Sequence, residues 1–217
     1  VIKKIKYFKL FMNNVVITTT GILGIVAFSS IAAYILDRRK SRYSRIAYTI
    51  IITPMLIPFQ TIMITLLKSM NVLHLSGSKL GLGVQYWGFG IPMATFIFYN
   101  FMKTIPKEID ESAIIDGAST FRTFRSIIFP LLKSVTVTVI VLDVMWIWND
   151  FMMPYLFISS SDKFTLIMEV YKGVGQFSNN GTVMLCTIVI VLLPIAIFYI
   201  AMQRHIIEGI TSGAVKG

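Results

Sequence analysis

Between Glu111 and Pro130 the chain reads ESAIIDGASTFRTFRSIIFP, and its polar residues are ordered there rather than scattered. Glu111 and Asp116 precede Gly117, and Arg122 and Arg125 follow it. No nucleophile–base pair is suggested among them. His74 and His205 are far apart and lack metal-ligand spacing. The chain also carries no glycine-rich phosphate loop of the Walker type. What remains is the chemistry of contact. From Lys107 to Asp116, Ile109, Ala113 and Ile114 recur at near-helical spacing, with Glu108, Glu111 and Asp116 around them. Gly117 can stop that helix, and Ser119 can cap a second one bearing Phe121, Phe124, Ile127 and Ile128. Pro130 then opens the next apolar segment. Two short surface helices joined at a glycine can fit a groove on a soluble partner. A loop that only connects its neighbours would have the same composition.

The elements that must hold this loop are apolar. Of 217 residues, 55% are hydrophobic and 14% charged, with mean hydropathy +0.75. Four runs, Leu10 to Leu36, Ile46 to Leu67, Leu80 to Met102 and Gly173 to Gln203, contain no Asp, Glu, Lys or Arg. Each exceeds or approaches the roughly 20 helical residues that cross a hydrocarbon layer, and they are too long and unpatterned for barrel strands. The fold expected is an all-α integral membrane protein, a polytopic bundle of five spans. These are Asn13 to Leu36, Ile46 to Leu67, a third ending at Met102, Pro130 to Trp148, and Thr182 to Met202. In the first, Gly21, Gly24, Ser29, Ser30, Ala32 and Ala33 are small enough for close helix approach. Pro54 and Pro58 should kink the second. Gly81, Gly83, Gly88 and Gly90 suggest an irregular start to the third, which becomes regular near Pro92. Phe151 to Ile158 is too short to span and reads as re-entrant or interfacial; Ser159 to Asn180 reads as a polar, glycine-containing connection. The organisation is a flank at 1–12, one membrane domain at 13–203 with the loop at 103–130, and a tail at 204–217.

Charge supplies an orientation. Lys and Arg are dense after the first span, sparse after the second, dense in the loop and sparse after the fourth. By the positive-inside rule the loop and the tail face the cytoplasm. Lys3, Lys4, Lys6 and Lys9 then fall on the wrong side, which predicts a further span upstream of Val1. The flank itself is either an amphipathic surface stretch or a solvated lead-in. The formal charge of +10 lies between spans, so nucleic acid is not expected as a partner. The single cysteine, Cys186, sits in an apolar run and reads as a small buried hydrophobe. Asp143 within the fourth span would cost about 2.5–3.5 kcal/mol at mid-bilayer on an insertion scale. With Asn149 it either faces a water-filled path or forms a buried hydrogen-bonded pair.

The loop resembles the EAA loop of ABC-importer permease subunits. That pattern is Glu-Ala-Ala, three residues, Gly, nine residues, then Ile-x-Leu-Pro. Here it is Glu111-Ser112-Ala113, then Gly117, then Ile127-Ile128-Phe129-Pro130. Ser112 replaces an alanine and Phe129 the leucine. Asn13-Asn14, Ala33-Tyr34 before a basic loop, Trp148-Asn149-Asp150-Phe151 and the ending Gly213-Ala214-Val215-Lys216-Gly217 resemble the sugar branch, and more narrowly the maltose-type second permease subunit. The resemblance implies six spans in the intact subunit and a bacterial cell-membrane location. It also implies a second permease subunit, a cytoplasmic ATPase dimer that binds ATP and Mg, a solute-binding protein outside, and surrounding lipid. This chain would bind no cofactor and would not be an enzyme. Glu111, Ser112, Ala113, Asp116, Gly117 and Pro130 would form the ATPase-coupling element, with Gly209, Gly213 and Lys216 near the ATPase pair.

The cargo expected is a sugar or related carbohydrate. A non-sugar solute is the alternative, and a secondary transporter a more distant one, since only Asp143 offers an ionisable group inside a span and no repeat is found. Trp87, Trp146 and Trp148 could stack on sugar rings or anchor the interface.

Overall fold

The computed structural model describes residues 6–176 and 181–214, and among them every regular element is helical. Helix α1, Tyr7–Arg38, has 32 residues. At 1.5 Å per residue that is about 48 Å, longer than a hydrocarbon layer of roughly 30 Å. Helices α2 (Arg42–Ile52) and α3 (Phe59–Val72) are joined through a 3-10 turn at Thr53–Leu56 and bend by 105°. Ile57 is extended ahead of Pro58, whose ring disfavours the helical region for the residue before it. The expected kink is therefore present at the two prolines.

Helix α4, Lys79–Met102, is continuous and carries Pro92 within it. The irregular start expected at its glycines is not observed. Two of these glycines are packing positions against α1: a Cβ on Gly83 would lie 2.5 Å from Thr20 Cβ, and one on Gly90 would lie 2.3 Å from Ile25 Cδ1. Close contact with α1 offsets the poor helix propensity of glycine.

Two short helices follow, α5 (Glu108–Ile115) and α6 (Thr120–Thr123), then a π-helical turn at Phe124–Ile128 and α7 (Phe129–Leu131). The chain bends by 75° before α8, Lys133–Asn149. The fourth segment thus straightens at Lys133 rather than at Pro130. Helix α9, Met152–Phe157, is short, as expected for a non-spanning segment, with Met153, Pro154 and Phe157 buried.

Helix α10, Leu166–Gln176, replaces much of the expected polar connection. Thr165, Leu166 and Met168 are buried there, so a short run of apolar contacts outweighs a polar average. Helix α11, Gly181–Ala214, carries the last apolar segment onward through most of the expected tail.

By length and apolarity, α1 and Gly181–Arg204 can each cross a membrane, and the two bent pairs raise the number to four. The five-span count is not reached on that measure. The remaining segment, α4, has the length with 24 residues, but Gln85, Tyr86, Trp87 and Asn100 lower its apolarity.

Packing divides the chain into two compact units. One comprises 1–22, 59–86 and 143–202, with Leu10, Leu166 and Val191 at a core that Phe11 and Trp148 flank. The other comprises 23–58, 87–142 and 203–217 and buries Ile25, Ala94, Phe98, Ile128 and Val139. In it a Cβ on Gly24 would sit 2.0 Å from the Trp87 ring, so α1 meets α4 there only because residue 24 has no side chain.

Candidate functional site

Helix α5 carries Glu108, Asp110 and Glu111 in its first turn, where carboxylates suit the positive end of the helix dipole. Its far end is closed by glycine. Gly117 has φ +80°, its N–H donates to the Ile114 carbonyl at 2.9 Å, and the Ala118 N–H donates to the Ala113 carbonyl at 2.9 Å. This is a Schellman cap, and its left-handed residue is strained for any side chain but is free for glycine. Ser119 then caps α6 by accepting from the Arg122 N–H at 3.3 Å. Phe124 and Ile128 turn inward and are buried, and the Phe124 ring lies 5.2 Å from that of Tyr34.

One side chain ties α5 down. Asp110 is buried, and its Oδ1 accepts from the Tyr34 hydroxyl at 2.7 Å. Its Oδ2 accepts from Arg38 Nε at 2.9 Å and from the second guanidinium arm at 2.8 Å. The remaining arm donates to Asp37 Oδ2 at 2.8 Å. The end of α1 and the first turn of α5 are therefore locked by an Arg fork between two carboxylates, an arrangement whose geometry a lysine cannot reproduce.

With Asp110 and Ala113 facing inward, the opposite side of the motif is open. Glu111, Ser112, Asp116, Gly117 and Pro130 are exposed. So are Ile114 at 58%, Ile115 at 86% and Phe121 at 68%. Of the apolar residues that recur at near-helical spacing here, Ala113 is buried and Ile114 is outside. The exposed surface mixes apolar side chains with Glu111, Asp116 and Arg122, and this combination suits protein docking better than solvent alone.

Asp143 and Asn149 are not brought together. Asp143 is buried, and its Oδ2 has no partner among the described residues. Asn149 is exposed and donates from Nδ2 to the Met145 carbonyl of its own helix at 2.7 Å. The hydrogen-bonded pair is thus absent. Of the expected tail residues, Gly209 and Gly213 lie along the α11 backbone and Lys216 lies outside the described residues. Cys186, expected to be buried, is exposed.

Several polar anchors stand out in the sequence only through the resemblance, which gives them no bonding role. Asn13 Nδ2 donates to the carbonyls of Asp162 and Phe164, both at 3.0 Å, and its Oδ1 accepts from Lys79 Nζ at 3.0 Å. Asn14 Oδ1 accepts from the Leu166 N–H at 2.8 Å. The two asparagines fasten the connection into α10 onto the start of α1. Beyond α8, Asp150 accepts from the buried Tyr86 hydroxyl at 2.8 Å. Burial pushes the Asp150 carboxyl up, against the opposing effect of Tyr86 and nearby backbone N–H groups. Among the described residues no group of three His, Cys, Asp or Glu could hold a metal ion.

The chain has known relatives. A family model described as the binding-protein-dependent transport system inner membrane component matches residues 25–211. The probable starch degradation products transport system permease protein of Thermoanaerobacterium thermosulfurigenes is 41% identical over 206 residues, covering 95% of this chain and 75% of that protein. The multiple sugar-binding transport system permease protein of Streptococcus mutans is 36% identical, covering 95% and 76%. The melibiose/raffinose/stachyose import permease protein of Bacillus subtilis is 31% identical, covering 95% and 75%. Among solved structures, a bacterial ABC transporter involved in the import of the acidic polysaccharide alginate matches with TM-score 0.79 at 22% identity, over 91% of this chain and 74% of that one. That likeness is one of fold.

Proposed function

The chain belongs to the family of binding-protein-dependent transport system inner membrane components, and on that premise we propose that it forms half of the transmembrane path of an ATP-driven sugar importer. The cargo is a sugar or related carbohydrate, in keeping with relatives named for starch degradation products, multiple sugars and melibiose, raffinose and stachyose. A solute-binding protein delivers it from outside, a second permease subunit completes the path, and a cytoplasmic ATPase dimer supplies the energy. The membrane domain is 13–203, with the loop at 103–130 and the segment 204–217 on the cytoplasmic side. Glu111, Ser112, Ala113, Asp116, Gly117 and Pro130 form the element that meets the ATPase. Gly209, Gly213 and Lys216 lie close to the ATPase pair, and Asp143 and Asn149 belong to the lining of the path.

One observation carries the coupling role: α5 is bonded inward through Asp110 and leaves Glu111, Ile114 and Ile115 open outward. A helix that is rigid on its inner side and unpartnered on its outer side can transmit a push. Gly117→Trp puts a bulky residue at φ +80° and should break the cap without touching a span. In proteoliposomes of the whole importer, we expect uptake to fall by at least about tenfold, within the usual range of coupling energies, while ATP hydrolysis and membrane insertion persist. Normal uptake in that variant would contradict the coupling role. Titration of the purified solute-binding protein against starch-derived and melibiose-type oligosaccharides tests the cargo separately.

A further inference from the structure

We infer that the pocket between the α1–α2 turn and the end of α4 binds a phosphate-bearing anion, supplied by the headgroup of an anionic lipid. The pocket has a volume of about 490 Å³, and its lining includes Lys40, Arg42, Arg45, Lys103, Tyr48 and Tyr99 but no carboxylate. The four cations are exposed, and among the described residues none of them pairs with an acidic side chain. Arg38, two residues before Lys40, is different, because Asp37 and Asp110 already neutralise it. Four like charges gathered in one concavity repel each other, and an anion relieves that repulsion.

The site is also built around fixed groups. Lys103 Nζ donates to Asn100 Oδ1 at 3.3 Å and sits 4.3 Å from the Tyr99 ring centroid. The Tyr99 ring packs on Tyr48 at 4.4 Å, so this cation is held by an aromatic pair that bridges α2 and α4. Ser41 caps α2, and the N-terminus of that eleven-residue helix, at Ser41 and Arg42, lines the pocket.

The lipid source follows from what α2 does next. It leaves the basic turn and becomes aliphatic at Ile50, Ile51 and Ile52, as a chain does when it passes from headgroup to acyl region. Tyrosines favour that boundary, and basic pockets between spanning helices on the cytoplasmic side hold anionic headgroups. The inference rests on the orientation given under the proposed function, in which the loop at 103–130 is cytoplasmic, because Lys103 of that loop shares this pocket with Lys40, Arg42 and Arg45.

The test uses the whole importer in bilayers of mixed phosphatidylglycerol and phosphatidylcholine, extracted gently and weighed by native mass spectrometry. Wild type should retain phosphatidylglycerol in preference to phosphatidylcholine. In the Arg42→Gln, Arg45→Gln, Lys103→Gln variant that preference should fall on the order of 100-fold, from about fivefold for each basic residue near a membrane surface. Equal retention of both lipids by wild type and variant would overturn the site. Stabilisation of wild type alone by millimolar inorganic phosphate, with no lipid preference, would overturn the lipid source. Sugar uptake is measured on the same vesicles. If it is absent while phosphatidylglycerol is retained, the transporter reading fails and the site stands.

Discussion

Asp110 receives one bond from Tyr34 and two from Arg38 while lying beneath the surface of α5. Removing one partner from a buried charge pair typically costs about 3–5 kcal/mol, because the other charge is left unpaired. Arg38 would keep Asp37, so the lower end of that range applies to Asp110→Ala. The purified importer should melt at lower temperature, and α5 should swing without driving α1. ATP hydrolysis should continue with fewer sugars moved per ATP. Arg38→Lys keeps the charge but loses the fork, and its defect should be intermediate. Wild-type stoichiometry in Asp110→Ala would show that α5 needs no such anchor. Arg38 and Asp110 are 72 residues apart, and no periodicity within either helix announces their pairing.

At the level of elements, the contact of α1 with α4 is set by a missing side chain. A Cβ at residue 24 would lie 2.0 Å from the Trp87 ring, so Gly24→Ala must separate the helices or displace the indole. Overpacking of this kind costs about 1–3 kcal/mol. Thermal unfolding of the detergent-purified complex should register the loss, and Trp87→Ala in the same chain should restore part of it. An unchanged melting temperature in Gly24→Ala would mean that the two helices do not meet closely at this level. Gly24 was legible in the sequence as a small residue in an apolar run. Pro54, Pro58, Gly117 and Ser119 were legible too, because each acts on its own backbone. Helix α10 was not, because it depends on partners far along the chain: Leu166 packs with Leu10 and Val191, and Asn14 accepts its N–H. The regularity of α4 was hidden for the same reason. Gly83 and Gly90 look like helix breakers until Thr20 and Ile25 of α1 fill the space beside them.

For the molecule as a whole, sidedness governs every proposed partner. Basic residues crowd the turn from Arg38 to Arg45 and the loop from Lys103 to Arg125, while the connections after the second and fourth spans are poor in them. If the dense side is cytoplasmic, an ATPase can reach Glu111 and Ile115, and a solute-binding protein can reach the Asn13-anchored connection before α10. If it is not, both assignments fail together. Thr104 and Ser159 are exposed and flank α8 on opposite sides in sequence, so a crossing by α8 would separate them. With Cys186, itself exposed, replaced by alanine, Thr104→Cys and Ser159→Cys can be labelled one at a time. In right-side-out vesicles an impermeant thiol reagent should modify the cysteine at 159 directly and the one at 104 only after lysis. The reverse pattern would turn the molecule over and remove the ATPase from α5. Labelling of both positions without lysis would mean that α8 does not cross, so that the bend before Lys133 returns the chain to the side it came from.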